Sequence, residues 1–297
     1  MPYDVAVIGG GPAGLSAAVN VRARNRTVLV VGNDYRESPL YRAEQVDNYL
    51  GLPGKSGAEL LELCHRHAEE MGAAFRKGRV LNVMPAGDRF YLGIGSDVEE
   101  AGAVVLATGV SRGRKFPGEE ALLGRGVSYC ATCDGMLYRG RPVVVVGLAP
   151  DAPEEAAFLQ SIGCRVTYVS GKEPQGLPPE IPFVRAVRLE VLGEEKVTGL
   201  LADGRELPCE GVFLLRHAIP PVDLLPGLAL EGGYVAVDRE MKTNLSGVFA
   251  AGDCTGLPLQ LSKAVGEGLI AGQRAAEYVD QLCDSEVINS ITCEKGE

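Results

Sequence analysis

Tryptophan is absent from the chain, and phenylalanine occurs only 7 times against 39 glycines. Few aromatics with abundant glycine suit nucleotide-binding α/β folds, whose backbone comes close to phosphates. No apolar run approaches the ~20 residues that a membrane-spanning helix needs. Positive charge is also scarce: 29 Lys and Arg face 39 Asp and Glu, a net charge of −10. That balance disfavours general nucleic-acid binding. A basic leader with a cleavage site is missing, since Pro2-Tyr3-Asp4 runs straight into a strand-like stretch. The expectation is a cytoplasmic protein with no secretory signal, no membrane span and no nucleic-acid partner. Histidine is limited to His65, His67 and His217, none spaced as a zinc finger requires. Of the eight cysteines, only Cys130 and Cys133 have a short spacing. In a reducing compartment the other six read as small hydrophobes or free thiols, not a disulfide framework.

Cys130-Ala131-Thr132-Cys133-Asp134-Gly135 is a CxxC followed by a carboxylate. By itself it is ambiguous, half of a metal site or a redox dithiol. As a dithiol, one thiol would react as the thiolate. Asp134 could manage the proton that each half of thiol–disulfide exchange must move.

At 297 residues, two domains are the natural expectation. Asp4–Ile8 is a short apolar run of buried-strand length. Gly9-Gly10-Gly11-Pro12-Ala13-Gly14 follows, and then a helical pattern from Leu15. G-x-G-x-x-G in that setting has a mechanical meaning. Gly9 makes the turn, Gly11 admits a pyrophosphate to the backbone, and Gly14 lets the helix pack on the strand. The second strand, Thr27–Val31, ends in Gly32-Asn33-Asp34 instead of the usual acid for ribose, so Asn33 or Asp34 would have to substitute. Residues 58–74 have helical spacing, with Cys64 on the apolar side. Strand-like pieces follow near 79–84 and 89–94, and Ala103–Leu106 is a buried strand leading into Ala107-Thr108-Gly109.

Residues 110–142 are locally basic. Arg112, Arg114, Lys115, Arg125, Arg139 and Arg141 face Glu119, Glu120 and Asp134. They read either as a docking face for an acidic partner or as ordinary surface arginines paired with Glu119 and Glu120. A second strand–turn–helix starts at Pro142, but its fingerprint is damaged: Gly147-Leu148-Ala149-Pro150-Asp151-Ala152-Pro153. The Ala149 methyl crowds the pyrophosphate position, and each proline removes a backbone donor. Ser170-Gly171-Lys172-Glu173 lacks the arginines that a 2′-phosphate would want. Residues 183–216 read as short strands and turns. Val248–Ala251 is a buried strand ending in Gly252-Asp253, residues 261–282 are helical, and the residues from Cys283 read as a polar tail.

Together, Gly9–Gly14, the Cys130–Gly135 stretch, Gly252-Asp253, Ala107-Thr108-Gly109 and Asn48-Tyr49 resemble the low-molecular-weight thioredoxin reductases. The resemblance covers residues 3–280. It implies an α/β fold of two nucleotide-binding, Rossmann-like, three-layer domains. An FAD domain (1–115 and 243–297) would carry an inserted, degenerate NADPH-type domain (116–242) that holds the CxxC. The implied FAD contacts are Gly9, Gly11, Pro12, Ala13, Gly14, Asn33, Asn48, Val80, Ala107, Thr108, Gly109, Gly252 and Asp253. Lys263 and Ala264 would lie near the isoalloxazine, where typical members carry a different basic-polar pair. Cys130, Cys133 and Asp134 would be catalytic, with Cys133 the thiol nearer the flavin, and no metal is implied.

The damaged second fingerprint, with Asn33-Asp34-Tyr35 and Arg216-His217, is similar to the pyridine-nucleotide-independent branch, most of all its ferredoxin-dependent flavin enzymes. Thioredoxin as substrate, ferredoxin as electron donor and a homodimer are the implied partners. The alternatives are NADPH or NADH at an unorthodox site, a reduced deazaflavin donor, and a non-catalytic flavin redox sensor.

Overall fold

The computed structural model describes residues 2–110, 115–216 and 220–293. The chain forms two compact units. One contains the chain up to residue 111 and again from residue 220, and the other contains residues 112–219. The return at 220 lies earlier than the boundary at 243 read from the sequence.

In the first unit, β1 (Tyr3–Ile8), α1 (Pro12–Ala23), β2 (Val28–Gly32), α2 (Gly57–Glu70) and β3 (Ala74–Lys77) come first. The meander β4 (Val80–Ala86), β5 (Arg89–Ile94) and β6 (Asp97–Leu106) follows. The strand order is β3-β2-β1-β6-β5-β4, with β1, β2, β3 and β6 parallel and the meander antiparallel. Parallel strands covered on both faces need unbroken apolar runs, and Val5, Val7, Val30 and Val105 are fully buried. Each such side chain stabilises the fold by about 1.5–3 kcal/mol. The α2 helix opens on a capping box between Ser56 and Glu59 and stops at Met71 before Gly72. It therefore ends earlier than the helical spacing over 58–74 indicates. Cys64 is half-buried on α2, beside Leu15 and Leu61.

The second unit carries β7 (Val127–Ser128), α3 (Ala131–Asp134), β8 (Pro142–Leu148), α4 (Ala152–Ser161), β9 (Arg165–Ser170) and β10 (Phe183–Arg185). After them come β11 (Leu189–Gly193), β12 (Val197–Ala202), β13 (Arg205–Pro208) and β14 (Gly211–Arg216). Its parallel sheet runs β10-β9-β8-β14-β7, with β11-β12-β13 a separate antiparallel sheet. This is the strand–helix–strand architecture of the first unit built a second time. Val144 and Val146 face one core, and Val143 and Val145 the other.

The chain then returns to the first unit through α5 (Pro221–Leu224), which packs on β4, and the hairpin β15 (Leu230–Glu231) and β16 (Tyr234–Val235). β17 (Val248–Ala250) adds in parallel to β6, and α6 (Leu261–Cys293) packs on α1. α6 runs past the point where a polar tail is expected. Residues 283–293 contain no proline or glycine to stop a helix, which accounts for the extension. No helix among the described residues is long and apolar enough to cross a membrane.

Candidate functional site

Three segments distant in sequence meet at the C-terminal ends of the parallel strands in the first unit. The Gly9 amide donates to the Val31 carbonyl at 2.8 Å, and Ala107 N to the Ile8 carbonyl at 2.8 Å. Ala251 N donates to the Leu106 carbonyl at 2.9 Å, which brings Gly252 to the same edge. Glycine is required here by contact. A Cβ on Gly9, at φ +120°, would lie 2.2 Å from the Ala107 carbonyl oxygen. One on Gly14 would lie 1.9 Å from the Gly9 carbonyl oxygen. At Gly11, by contrast, a Cβ would meet nothing within 4 Å. Gly11 is also the N-cap of α1, without a side-chain cap, followed by Pro12 at the first position and no acid in the first turn. The helix start at Gly11 thus lies beside open space, which suits an anion.

A cleft of about 180 Å³ adjoins this turn, lined by Gly10, Gly32, Asn33, Asp34, His65 and Phe75 among others. His65 stacks on Phe75 at 4.2 Å between ring centroids. The Asp34 carboxylate is turned to its own loop, accepting from Arg36 N at 3.0 Å. That amide, ahead of the Arg36 charge, holds its carboxyl below the usual range. Val80 heads β4 two residues after Gly78, whose amide donates to Gly32 O at 3.0 Å, so it too starts near this end of the sheet. An open helix start, glycines at each close approach and a neighbouring cleft fit the pyrophosphate and adenosine of FAD.

Lys263 is engaged within the protein. Its ammonium donates to Gly252 O at 2.8 Å, Thr255 Oγ1 at 2.9 Å and Glu267 at 3.0 Å. Glu267 also accepts from Gly252 N at 2.8 Å, so the pair clamps the Gly252-Asp253 turn. Ala264 is buried beside Gly252. Asn48 meets a residue the sequence reading did not single out: its amide donates to Gln260 Oε1 at 2.9 Å. No local pattern announces a contact across 212 positions.

In the second unit Cys130 and Cys133 are joined as a disulfide. Cys130 is buried, at 8% exposure, while Cys133 is exposed and Asp134 half-buried beside it. Cys130 caps its own turn: Cys133 N donates to its sulfur at 3.1 Å, and Thr132 Oγ1 lies 3.4 Å away. Ser128 Oγ bridges the Cys130 amide and carbonyl, at 3.1 Å each. Burial pushes the Cys209 thiol up to about 12 and Cys254 to about 11, which leaves both inert.

Tyr129, just before Cys130, leads to a buried cluster. Its hydroxyl donates to Glu119 at 2.8 Å, Phe116 N donates to the same carboxylate at 2.8 Å, and Arg216 donates to both of its oxygens. Glu119 is 0% and Arg216 7% exposed. The guanidinium also stands over the Phe116 ring, 5.2 Å from its centroid. Burial alone would push the Glu119 carboxyl up. Arg216, the Phe116 amide and the Tyr129 hydroxyl together outweigh it and hold the carboxyl below the usual range. This corrects the pairing of Glu119 with the basic stretch. Glu120 does meet Lys115, at 3.7 Å, and Arg141 meets Glu210 at 3.1 Å. Arg112, Arg114 and His217 lie outside the described residues.

The second strand–turn–helix differs from the first at each position that matters to an anion. Ala149 is buried at the turn, Asp151 is the N-cap of α4, and Pro153 occupies its second position. A Cβ at Gly147 would lie 1.7 Å from the Tyr168 hydroxyl, so the tyrosine fills that side of the turn. Burial, with the Asp151 charge, pushes this phenol up to about 12. A cleft of about 650 Å³ remains, lined by Ala149, Pro150, Pro153, Tyr168 and Lys172 among others.

The chain matches the family model described as pyridine nucleotide-disulphide oxidoreductase over residues 3–180 and 180–268. It is 33% identical over 306 residues to a thioredoxin reductase of Listeria monocytogenes, covering 95% of this chain and 96% of that one. The crystal structure of a ferredoxin-flavin thioredoxin reductase from Clostridium acetobutylicum superposes with a TM-score of 0.89 at 39% identity, covering 95% and 99% of the two chains. A thioredoxin reductase from Gloeobacter violaceus gives a TM-score of 0.82 at 34% identity, covering 94% and 95%.

Proposed function

Because this chain belongs to the pyridine nucleotide-disulphide oxidoreductase family, as an FAD flavoprotein and a thioredoxin-disulphide reductase, we propose that its electrons come from a reduced ferredoxin and not from NADPH. The contrast between the two strand–turn–helix units carries this reading. The α1 turn is open at Gly11, whereas the α4 turn carries a methyl, two prolines and an aspartate where a pyrophosphate would need space and donors. The 650 Å³ cleft leaves room beside α4, but Pro150 and Pro153 in its lining offer no backbone N–H. The likeness to a protein named ferredoxin-flavin thioredoxin reductase points the same way.

When bound, FAD supplies the conversion of single-electron delivery into two-electron reduction of a disulfide. The chain's own residues do the rest. Gly9, Gly11, Pro12, Ala13 and Gly14 hold the pyrophosphate, with Asn33, Asn48, Val80, Ala107, Thr108 and Gly109 nearby. Asp253 lies on the turn that Lys263 and Glu267 brace, and Ala264 on α6 packs beside Gly252. Reduction of the Cys130–Cys133 disulfide takes two electrons and two protons. A thiolate of the pair then attacks a thioredoxin sulfur, releasing one thioredoxin thiolate and forming a mixed disulfide. The second cysteine resolves it, with Asp134 moving the proton. The active protein is a homodimer, an assignment that sedimentation equilibrium tests.

Anaerobic titration tests the donor. Stoichiometric reduced ferredoxin is expected to bleach the flavin, while micromolar NADPH or NADH leaves it oxidised. Rapid bleaching by NADPH would sink the reading, and bleaching by a reduced deazaflavin alone would replace the donor. Lys263→Met is expected to weaken FAD by about 10–100-fold, because Glu267 and the Gly252 carbonyl lose a charged donor worth about 1.5–3 kcal/mol. Equilibrium dialysis against FAD measures it, and unchanged affinity would separate the clamp from the cofactor.

A further inference from the structure

We propose that Glu155 is a positioning residue that keeps the Cys130–Cys133 couple strongly reducing. The inference rests on reading that pair as the redox dithiol. Glu155 lies half-buried on α4, and its Oε2 accepts from the Ala131 amide at 3.2 Å. That amide sits between the two cysteines in sequence, on the same turn as Cys133 N, which donates to the Cys130 sulfur at 3.1 Å.

The consequence follows from charge. In the dithiol, a Cys130 thiolate would be stabilised by the Cys133 amide and the Thr132 hydroxyl. Glu155 places a negative charge on the adjoining amide of the same turn and opposes that thiolate. Asp134 on α3 adds a second negative charge, and burial together with that charge pushes the Tyr138 phenol up. A couple whose reduced form is stabilised as thiolate is a stronger oxidant, and one whose thiolate is disfavoured is a stronger reductant. Thioredoxin reduction needs the second kind. The two electrons and two protons released when the Cys130–Cys133 disulfide re-forms are those gained by the thioredoxin disulfide. Glu155 also ties the turn to α4, the helix that starts at the damaged fingerprint.

Glu155→Gln removes the charge and keeps an acceptor for Ala131 N, whereas Glu155→Leu removes both. The FAD-loaded protein is equilibrated with graded mixtures of reduced and oxidised dithiothreitol. Mass spectrometry of the alkylated Cys130–Cys133 peptide then reads the reduced fraction. The glutamine variant is expected to shift the equilibrium about tenfold toward the dithiol, ~30 mV for this two-electron couple. Single-turnover transfer to thioredoxin should become correspondingly less favourable. An unshifted glutamine variant, or a shift in the leucine variant alone, would reduce Glu155 to a structural cap and overturn the proposal. A wild-type peptide that stays oxidised while ferredoxin reduces the flavin would instead overturn the dithiol assignment, a different result from either of these.

Discussion

A Cys133→Ser chain is expected to lose thioredoxin reduction by more than about a thousandfold, the scale of removing a covalent nucleophile. A serine hydroxyl can neither close nor open the disulfide with Cys130. The segments proposed to hold FAD lie in the other compact unit, so the variant should still bind FAD and keep its flavin spectrum. The measurement is single-turnover. Protein reduced with dithionite is mixed with oxidised thioredoxin, and flavin reoxidation is followed. Wild type should reoxidise through the dithiol, and the variant should stay reduced until oxygen or an artificial acceptor is added. The buried Cys164, Cys209 and Cys254 offer no substitute, because burial raises each of their thiols. Reoxidation of the variant by thioredoxin at the wild-type rate would remove the Cys130–Cys133 pair from the reaction.

Arg216→Met is expected to destabilise the second unit by about 3–5 kcal/mol, the cost of leaving a buried charge without its partner. Glu119 is fully enclosed, and it accepts two hydrogen bonds from the Arg216 guanidinium. The double variant Glu119→Gln, Arg216→Met should recover much of the loss, since pairs replaced together by neutral groups are often nearly neutral. The pH dependence has a definite sign. The Glu119 carboxyl is held below its ordinary range, so its contribution is fully present above that range. In wild type it is lost as pH falls through the depressed folded value. In Arg216→Met the charge is unpaired, so the deficit is largest near neutral pH and shrinks as the carboxyl takes up a proton. Urea unfolding at pH 7 and pH 4.5 measures both arms. Equal deficits at the two pH values would mean that the pair acts through packing alone. Tyr129 joins this carboxylate to Cys130, so the single variant should also slow thioredoxin reduction.

The Gly9–Gly14 turn was legible because its spacing is short: Gly14 answers a contact with Gly9 five residues away, Gly9 one with Ala107 at the end of the adjoining strand, and Gly11 leaves open space. The buried strands were legible for a similar reason, since a sheet covered on both faces needs continuous apolar runs. The disulfide pair was legible as spacing, and its flanking motifs as a resemblance. The pairing of Glu119 was not. Its partner lies 97 residues away, and a carboxylate in a basic stretch reads equally well as a solvated charge. Gln260 was missed beside Asn48, and Glu155 beside Ala131, because a polar side chain on a helix or loop does not advertise which backbone will come to meet it.

By itself, then, the sequence determined a twofold use of one strand–turn–helix plan, with a phosphate-ready turn in the first copy and a damaged one in the second. It also determined a CxxC with an acid beside it. Those features depend on residue size, on missing donors and on short spacings, all of which survive in a linear string. Only the tertiary structure decided which charges are buried together, that Lys263 braces the Gly252 turn through Glu267, and that a carboxylate from α4 reaches the amide between the two cysteines. Burial and long-range hydrogen bonds are properties of the folded packing, and folding alone brings those partners within bonding distance.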